Sequence, residues 1–379
     1  MMSAARGESA IWETRLLGVV SGTLAVIGIA AVYGASSITA VQMGLSGSAF
    51  ALRQLVGALI GVVLLLLVAR IDYHVWQRLA WPLIVTTVAL LLVPLVPGLR
   101  SVAPELNGSR RWINLGIMTI QPSELAKFGV VVWTAMLATR KGEAVREFKH
   151  GLLPFLVVLA PIGALILFEP DLSTSVLVML LAGIVLFAAG ARIGHFLVLG
   201  LIAVPLVWHA VVGVQYRLAR MLTFLSPGAD VSEANWQITQ SMIGIGAGRL
   251  FGVGFGQGLQ KLGYLPYAYS DFLFSTIGEE WGFVGTGLII AAFAVYIGLG
   301  LRIARTAPDG FGMLLAAGLT SLIGVPAILH MAVTLALVPT TGLTLPFLSY
   351  GRSSLLVALA ATGVIINIGT SRARGGGAR

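Results

Sequence analysis

The 379-residue chain has no cysteine, which removes disulfide frameworks and cysteine-ligated metal sites from consideration. Charge is the next scarcity. Asp, Glu, Lys and Arg make up 10% of the residues, against about a quarter in a soluble domain. Five histidines, His74, His150, His195, His209 and His330, are scattered without ligand spacing, so zinc chemistry is not expected. What the chain has in quantity is apolar sequence. It is 57% hydrophobic with a mean hydropathy of +0.94, which identifies an integral membrane protein. Its 47 glycines suit helices that must approach closely, because lipid supplies no hydrophobic force between them.

At about twenty apolar residues per membrane span, candidates fall near residues 16–33, 55–71, 81–97, 124–139, 152–168, 172–189, 194–214, 272–303, 311–337 and 353–368. The sequence thus predicts an all-α polytopic membrane protein of about ten transmembrane helices, in one domain over 1–379. The eighth and ninth runs are longer than a span needs, so tilt or a buried entry turn is expected. The polar start MMSAARGESAIWETR precedes an apolar run too long for a signal peptide, and is expected to be a retained anchor. Most of the 24 lysines and arginines lie in the tails and in loops on one face, which predicts both termini in the cytoplasm. Arg110, Arg111, Arg217, Arg220, Arg249 and Lys261 fall on the opposite, external face. Against that bias they are expected to bind something, with anionic headgroups as the alternative.

Two long external loops are predicted, 98–120 and 215–271, and loops of such length are often functional. The second contains YRLARMLTFL, basic on one side and apolar on the other, which predicts a helix lying in the interface. It continues into GIGAGRLFGVGFGQGLQ, with seven glycines from Gly244 to Gly258. No phosphate-loop fingerprint is present there. Flexible or membrane-hugging loop is the favoured expectation, with approach of its backbone N–H groups to an anion as the other.

Polar groups inside apolar runs narrow the candidates, because charge in hydrocarbon faces a cavity or a partner. In NGSRRWINLG followed by QPSELAKF, Arg110 and Arg111 precede a helix opened by Pro122. Glu124 and Lys127 share one face of it, either as an internal ion pair or with the lysine turned to a ligand. In FEPDLSTS, Asp171 is either an N-cap or a metal or sugar contact. VPTTGLTLPFLSYGRSS, with its two prolines and a run of hydroxyls including Thr340 and Ser349, predicts irregular backbone lining a watery cavity. On a helical wheel through YSDFLFSTIGEEWG, Asp271 shares a face with Ser275, Gly278 and Gly282, whereas Glu279 and Glu280 diverge. Asp271 is therefore expected at the external mouth, and the two glutamates buried and paired.

Together these segments resemble the SEDS family (shape, elongation, division and sporulation) of bacterial cell-wall polymerases. The likeness runs in order through VYGASS, NGSRRWINLG, QPSELAKF, EPDLST, LSP with WQITQS, GVGFGQGLQKLGYLP, SDFLFSTIGEEWG and PTTGLTLPFLSYGRSS. GLQKLGYLP, IGEE and PTTGLTLP look more like the division branch than the elongation branch. Departures are Ser270, Ser173, Arg352 and His330, where the family usually has threonine, glycine, glycine and a nearby asparagine. The resemblance implies a peptidoglycan glycosyltransferase acting on lipid II, with an essential aspartate at Asp271 and importance for Arg111 and Lys127. It also implies that the large loop docks a class B penicillin-binding transpeptidase.

The expected chemistry is inverting transfer, with Asp271 as general base and undecaprenyl pyrophosphate leaving. Candidate substrate contacts are Arg110, Arg111, Glu124, Lys127, Asp171, Arg217, Arg220, Thr340 and Ser349, the cations meeting phosphate. A divalent cation, magnesium or manganese, on Asp271 or Asp171 is a further option. Expected partners are lipid II, the lipid-linked strand, the transpeptidase, division regulators and membrane lipids, with no nucleic acid. A lipid II flippase, an elongation-type polymerase and a non-catalytic scaffold are the rival expectations.

Overall fold

The computed structural model describes residues 2–99, 101–105, 109–116, 118–225 and 233–375. Parts of two expected segments, Asn107 and Gly108 of NGSRR and Ser226 and Pro227 of LSP, lie outside the described residues. The chain folds into α1 (Met2–Gln42), α2 (Ala49–Arg70), α3 (His74–Leu92), α4 (Pro122–Lys141), α5 (Leu153–Phe168), α6 (Leu172–Ala188), α7 (Ile193–Val212), α8 (Gln215–Leu225), α9 (Glu233–Ala247), α10 (Leu273–Arg305), α11 (Gly310–Thr334) and α12 (Arg352–Gly375). Between α3 and α4, β1 (Ile113–Asn114) and β2 (Thr119–Ile120) pair antiparallel, with Ile113 opposite Ile120.

This is the all-α polytopic architecture expected, and every apolar run lies in a helix. Among the described residues, eight helical stretches are long and apolar enough to cross a membrane. Of the two runs outside that set, α6 is shorter, at 17 residues, and α4 is made more polar by Glu124 and Lys127. Helices α4, α11 and α12 carry many of the fully buried residues, among them Trp133, Met136, Leu315, Leu319 and Ile365, and Trp133 packs its ring against Trp81 of α3 and Phe155 of α5. By contrast α7 has no buried residue. Its C-terminal turn is closed by Arg217, whose guanidinium donates to Ala210 O at 3.0 Å.

Three features depart from the sequence expectation. The first helix runs past the expected span of 16–33, through VYGASS, to Gln42. Inside the long loop the expected helix forms as α8, and α9 forms as well over WQITQSMIGIGA. Finally, α10 is broken at Gly282, whose φ of 68° and ψ of −162° are non-helical, so 273–281 is a separate short helix. Asp271 precedes Leu273 and is on no helical wheel. The three acids do separate, because Asp271 belongs to a turn and the glutamates to this short helix.

The glutamates explain the glycine-rich stretch. Lys261 Nζ donates to Glu280 Oε1 at 2.9 Å and Gly256 N to Oε2 at 2.9 Å, while Leu259 N donates to Glu279 Oε1 at 2.8 Å. Val253 N and Gly254 N add bonds to the carbonyls of Glu279 and Glu280, at 3.0 and 3.1 Å. The loop is thus pinned, and the anion its N–H groups approach is the protein's own carboxylate pair. Small residues are required because the backbones meet: a Cβ on Gly252 would lie 2.1 Å from Glu280 O. Lys261 and Glu280 side chains are 5% and 3% exposed, so breaking this pair leaves a charge stranded. Lys261→Ala is expected to cost about 3–5 kcal/mol, read as a lower thermal midpoint in detergent, and Lys261→Met with Glu280→Gln to recover most of it.

Candidate active site

Asp271 sits at the end of a turn in which Ser270 N and Asp271 N both donate to Tyr267 O at 3.0 Å. Its carboxylate is half-buried. Burial lifts its pKa above the ordinary aspartate value, opposed by a hydrogen bond with Ser270 and by the charges of Arg220 and Arg111, with Asp171 pushing upward. The same turn is held from outside: Ser349 Oγ donates to Ser270 O at 2.6 Å, and Tyr350 N to Tyr269 O at 3.0 Å. Facing the carboxylate is Gly342, in the left-handed region at φ 70°. A Cβ there would lie 3.6 Å from Asp271 Oδ2.

Around this acid the chain assembles cations from two separate loops. Arg111 reaches Asp171 Oδ2 at 3.4 Å and donates through Nε to Ser109 Oγ at 2.7 Å. Asp171 also caps α6, Oδ1 accepting from Thr174 N at 3.0 Å, so capping and charge pairing hold at once. Arg220, on α8, lies over the Tyr216 ring at 5.6 Å. Arg217 is next to it in space but turned to the α7 carboxyl end. Arg110 is half-buried in the same segment as Arg111.

Lys127 is engaged by Glu124 at 2.8 Å, both side chains being nearly buried. This is the internal pair that the i,i+3 spacing allows. The start of α4 is sewn to the start of α12, since Gln121 N donates to Ser353 Oγ at 3.1 Å. The Thr340 and Thr341 hydroxyl oxygens are buried with no hydrogen-bond partner among the described residues, two residues and one residue before Gly342. Ser349 Oγ, in contrast, is fully used, accepting from Leu345 N at 3.0 Å as well as donating to Ser270 O. His330, on α11, has Nδ1 2.7 Å from Leu343 O. A carbonyl only accepts, so that nitrogen carries the proton.

Two residues outside the candidate contacts complete the site. Glu169 is 1% exposed and both its carboxylate oxygens lack a partner among the described residues. Burial pushes its pKa to about 8, with Asp171 adding and Arg111 opposing. Gln54, fully buried on α2, bonds the Ser349–Gly351 backbone. Its signal was an amide inside the apolar run AFALRQLVGALIG. As for a metal, no group of three or more His, Asp or Glu that could hold an ion occurs among the described residues. The acceptor oxygens of Asp171 already face Thr174 N and Arg111, so this carboxylate does not fit a divalent ion.

The raised Glu169 pKa makes a signed prediction. A carboxyl whose folded pKa is raised contributes its full stability below the ordinary glutamate pKa, where the folded and unfolded chains both hold the proton. That stabilisation fades as pH rises towards about 8. Glu169→Gln is expected to flatten the fall of the thermal midpoint between pH 5 and pH 8 (about the window between the two pKa values); an unchanged slope would contradict the assignment.

With this geometry in view, the chain matches the family model FtsW/RodA/SpoVE, "Cell cycle protein", over residues 14–374. It is 43% identical to a probable peptidoglycan glycosyltransferase FtsW of Trichlorobacter lovleyi, covering 91% of this chain and 90% of that one. It is 38% identical to stage V sporulation protein E of Bacillus subtilis, covering 93% and 96%. Among solved structures, it superposes on a chain of a peptidoglycan synthase complex that coordinates polymerization and crosslinking. The TM-score is 0.76 and the identity 27%, over 94% of this chain and 97% of that one. The protein belongs to the FtsW/RodA/SpoVE family of cell cycle proteins, the SEDS family that its motifs resemble.

Proposed function

We propose that this protein is a peptidoglycan glycosyltransferase that polymerises lipid II into glycan strands during cell division. The relative named FtsW at 43% identity supports that assignment. The observation that carries the chemistry is the half-buried Asp271, influenced by Arg111 and Arg220 and faced by Gly342, which places no side chain of its own against the carboxylate.

In the proposed reaction, the 4-hydroxyl oxygen of lipid II attacks the anomeric carbon of the lipid-linked strand. The bond from that carbon to the pyrophosphate oxygen breaks, the hydroxyl proton passes to Asp271, and undecaprenyl pyrophosphate leaves with the bonding electrons. Attack opposite the leaving group inverts the centre and gives the β-1,4 link. A pyrophosphate needs no protein acid, in contrast to the leaving group of a hydrolytic glycosidase; it needs positive charge. Arg111 and Arg220 are the cations that act on Asp271, and Arg110 and Lys127 are secondary candidates. A base with a raised pKa suits proton removal near neutral pH. The Thr340 hydroxyl oxygen is buried and without a partner among the described residues, so a sugar hydroxyl would reach it only on opening of that segment.

In this proposal the protein spans the bacterial inner membrane with both termini in the cytoplasm and Asp271 on the external face. Residues 215–271 would dock a class B penicillin-binding transpeptidase, with α8 in the interface. Purified chain in detergent is expected to make glycan from lipid II, and Asp271→Asn to lower the rate by at least about a hundredfold without lowering the thermal midpoint. Near-normal polymer from that variant would sink the base assignment and favour a scaffold. Fluorescent lipid II crossing liposomes with no polymer formed would favour a flippase instead.

A further inference from the structure

From its own helix the turn that carries Asp271 takes one long bond, Thr276 Oγ1 to Ala268 O at 3.4 Å. Its shorter outward hydrogen bonds run to the Ser349–Gly351 loop, and the backbone of that loop is in turn bonded by a side chain of a different helix, Gln54 of α2. Gln54 is fully buried. Its Nε2 donates to Ser349 O at 3.0 Å and its Oε1 accepts from Gly351 N at 3.3 Å. The amide pairs with this loop as a second strand would, and swapping its N and O would set donor against donor and acceptor against acceptor. From Ser349 the connection continues at once: Oγ donates to Ser270 O at 2.6 Å, next to Asp271, and Tyr350 N donates to Tyr269 O at 3.0 Å.

The neighbours of Gln54 on the same face of α2 engage the same two segments. Phe50, one turn earlier, packs its ring 5.0 Å from those of Tyr269 and Tyr350. Gly57, three residues later, leaves room for Arg352: a Cβ there would stand 3.1 Å from Arg352 Cγ. The outer part of α2 is therefore shaped to the base-bearing turn and to the loop that ends in Arg352. A buried glutamine is costly unless both of its groups are paired, and a hydrophobic residue of its size would fill the space equally well. Its pairing is spent wholly on this loop.

We infer that Gln54 is a positioning residue for the proposed base, fixing the Asp271 turn through the Ser349–Gly351 loop. The inference rests on the role given to Asp271 above. Gln54 touches no reacting atom; its effect is on how well the carboxylate meets the attacking hydroxyl. Small misplacement of a reacting group is enough to cost about a hundredfold in rate, whereas ground-state binding of lipid II has no contact with Gln54 to lose.

The test uses the purified full chain in detergent with lipid II, in Gln54→Met, Gln54→Glu, Ser349→Ala and the Gln54→Met/Ser349→Ala double variant. Gln54→Met is expected to lower kcat by about ten- to a hundredfold with KM within about twofold. Gln54→Glu keeps the acceptor for Gly351 N and is expected to recover part of kcat. Because both residues belong to one chain of bonds, the double variant is expected to be no slower than the worse single variant by more than about twofold. A folded Gln54→Met with wild-type kcat, a rise in KM alone, or losses that multiply in the double variant would each overturn the inference. Should Gln54→Met fold poorly, Gln54→Glu against Ser349→Ala decides the matter by the same kcat and KM readings. Asp271→Asn in the same assay separates the premise: full activity there would fail the base assignment itself, whatever the Gln54 variants do.

Discussion

Backbone that leaves a helix within an apolar bundle must find its hydrogen bonds in protein, because lipid offers none. In this molecule two irregular segments meet that requirement with side chains from elsewhere. Glu279 and Glu280 accept from the N–H groups of Gly256, Leu259 and Gln260 in the glycine-rich stretch. Gln54, Ser349 and His330 satisfy the 343–351 segment. Asp271 lies between the two in the chain, and its turn is bonded to the second segment through Ser349 and Tyr350 and to Thr276 of the following helix.

That dependence accounts for the division of labour among the acids. Glu280 is neutralised by Lys261 and Glu124 by Lys127, each within 2.9 Å, so these charges are absorbed by the fold. Asp171 is shared between a helix cap and Arg111. Asp271 has Ser270 beside it and arginines acting on it, but no ion-pair partner within salt-bridge distance among the described residues. A carboxylate kept half-buried and unpaired in this way is prepared to take a proton, and one locked to a lysine is not.

Much of this was legible in the sequence. Hydropathy located every apolar helix, and the i,i+3 spacing of Glu124 and Lys127 contained their pairing. The motif order contained the family. What was not legible depends on contacts between distant segments. A wheel drawn through Asp271 assumed a helix that begins only at Leu273, and nothing local reveals that Gly282 breaks α10, because glycine is equally at home inside membrane helices. The partner of the glycine-rich stretch lies about twenty residues downstream, beyond any periodicity. Gln54 is nearly 300 residues from the loop it holds, and only the oddity of an amide in hydrocarbon pointed to it.

The central claim is that Asp271, its pKa raised by burial, removes the proton in glycan polymerisation. The pH dependence of kcat/KM for lipid II reports the free enzyme's base. The account predicts an acid limb displaced above the ordinary aspartate range, in line with the upward shift of the Asp271 carboxyl. A profile that stays flat across that range, or an acid limb at the ordinary aspartate value, would contradict it.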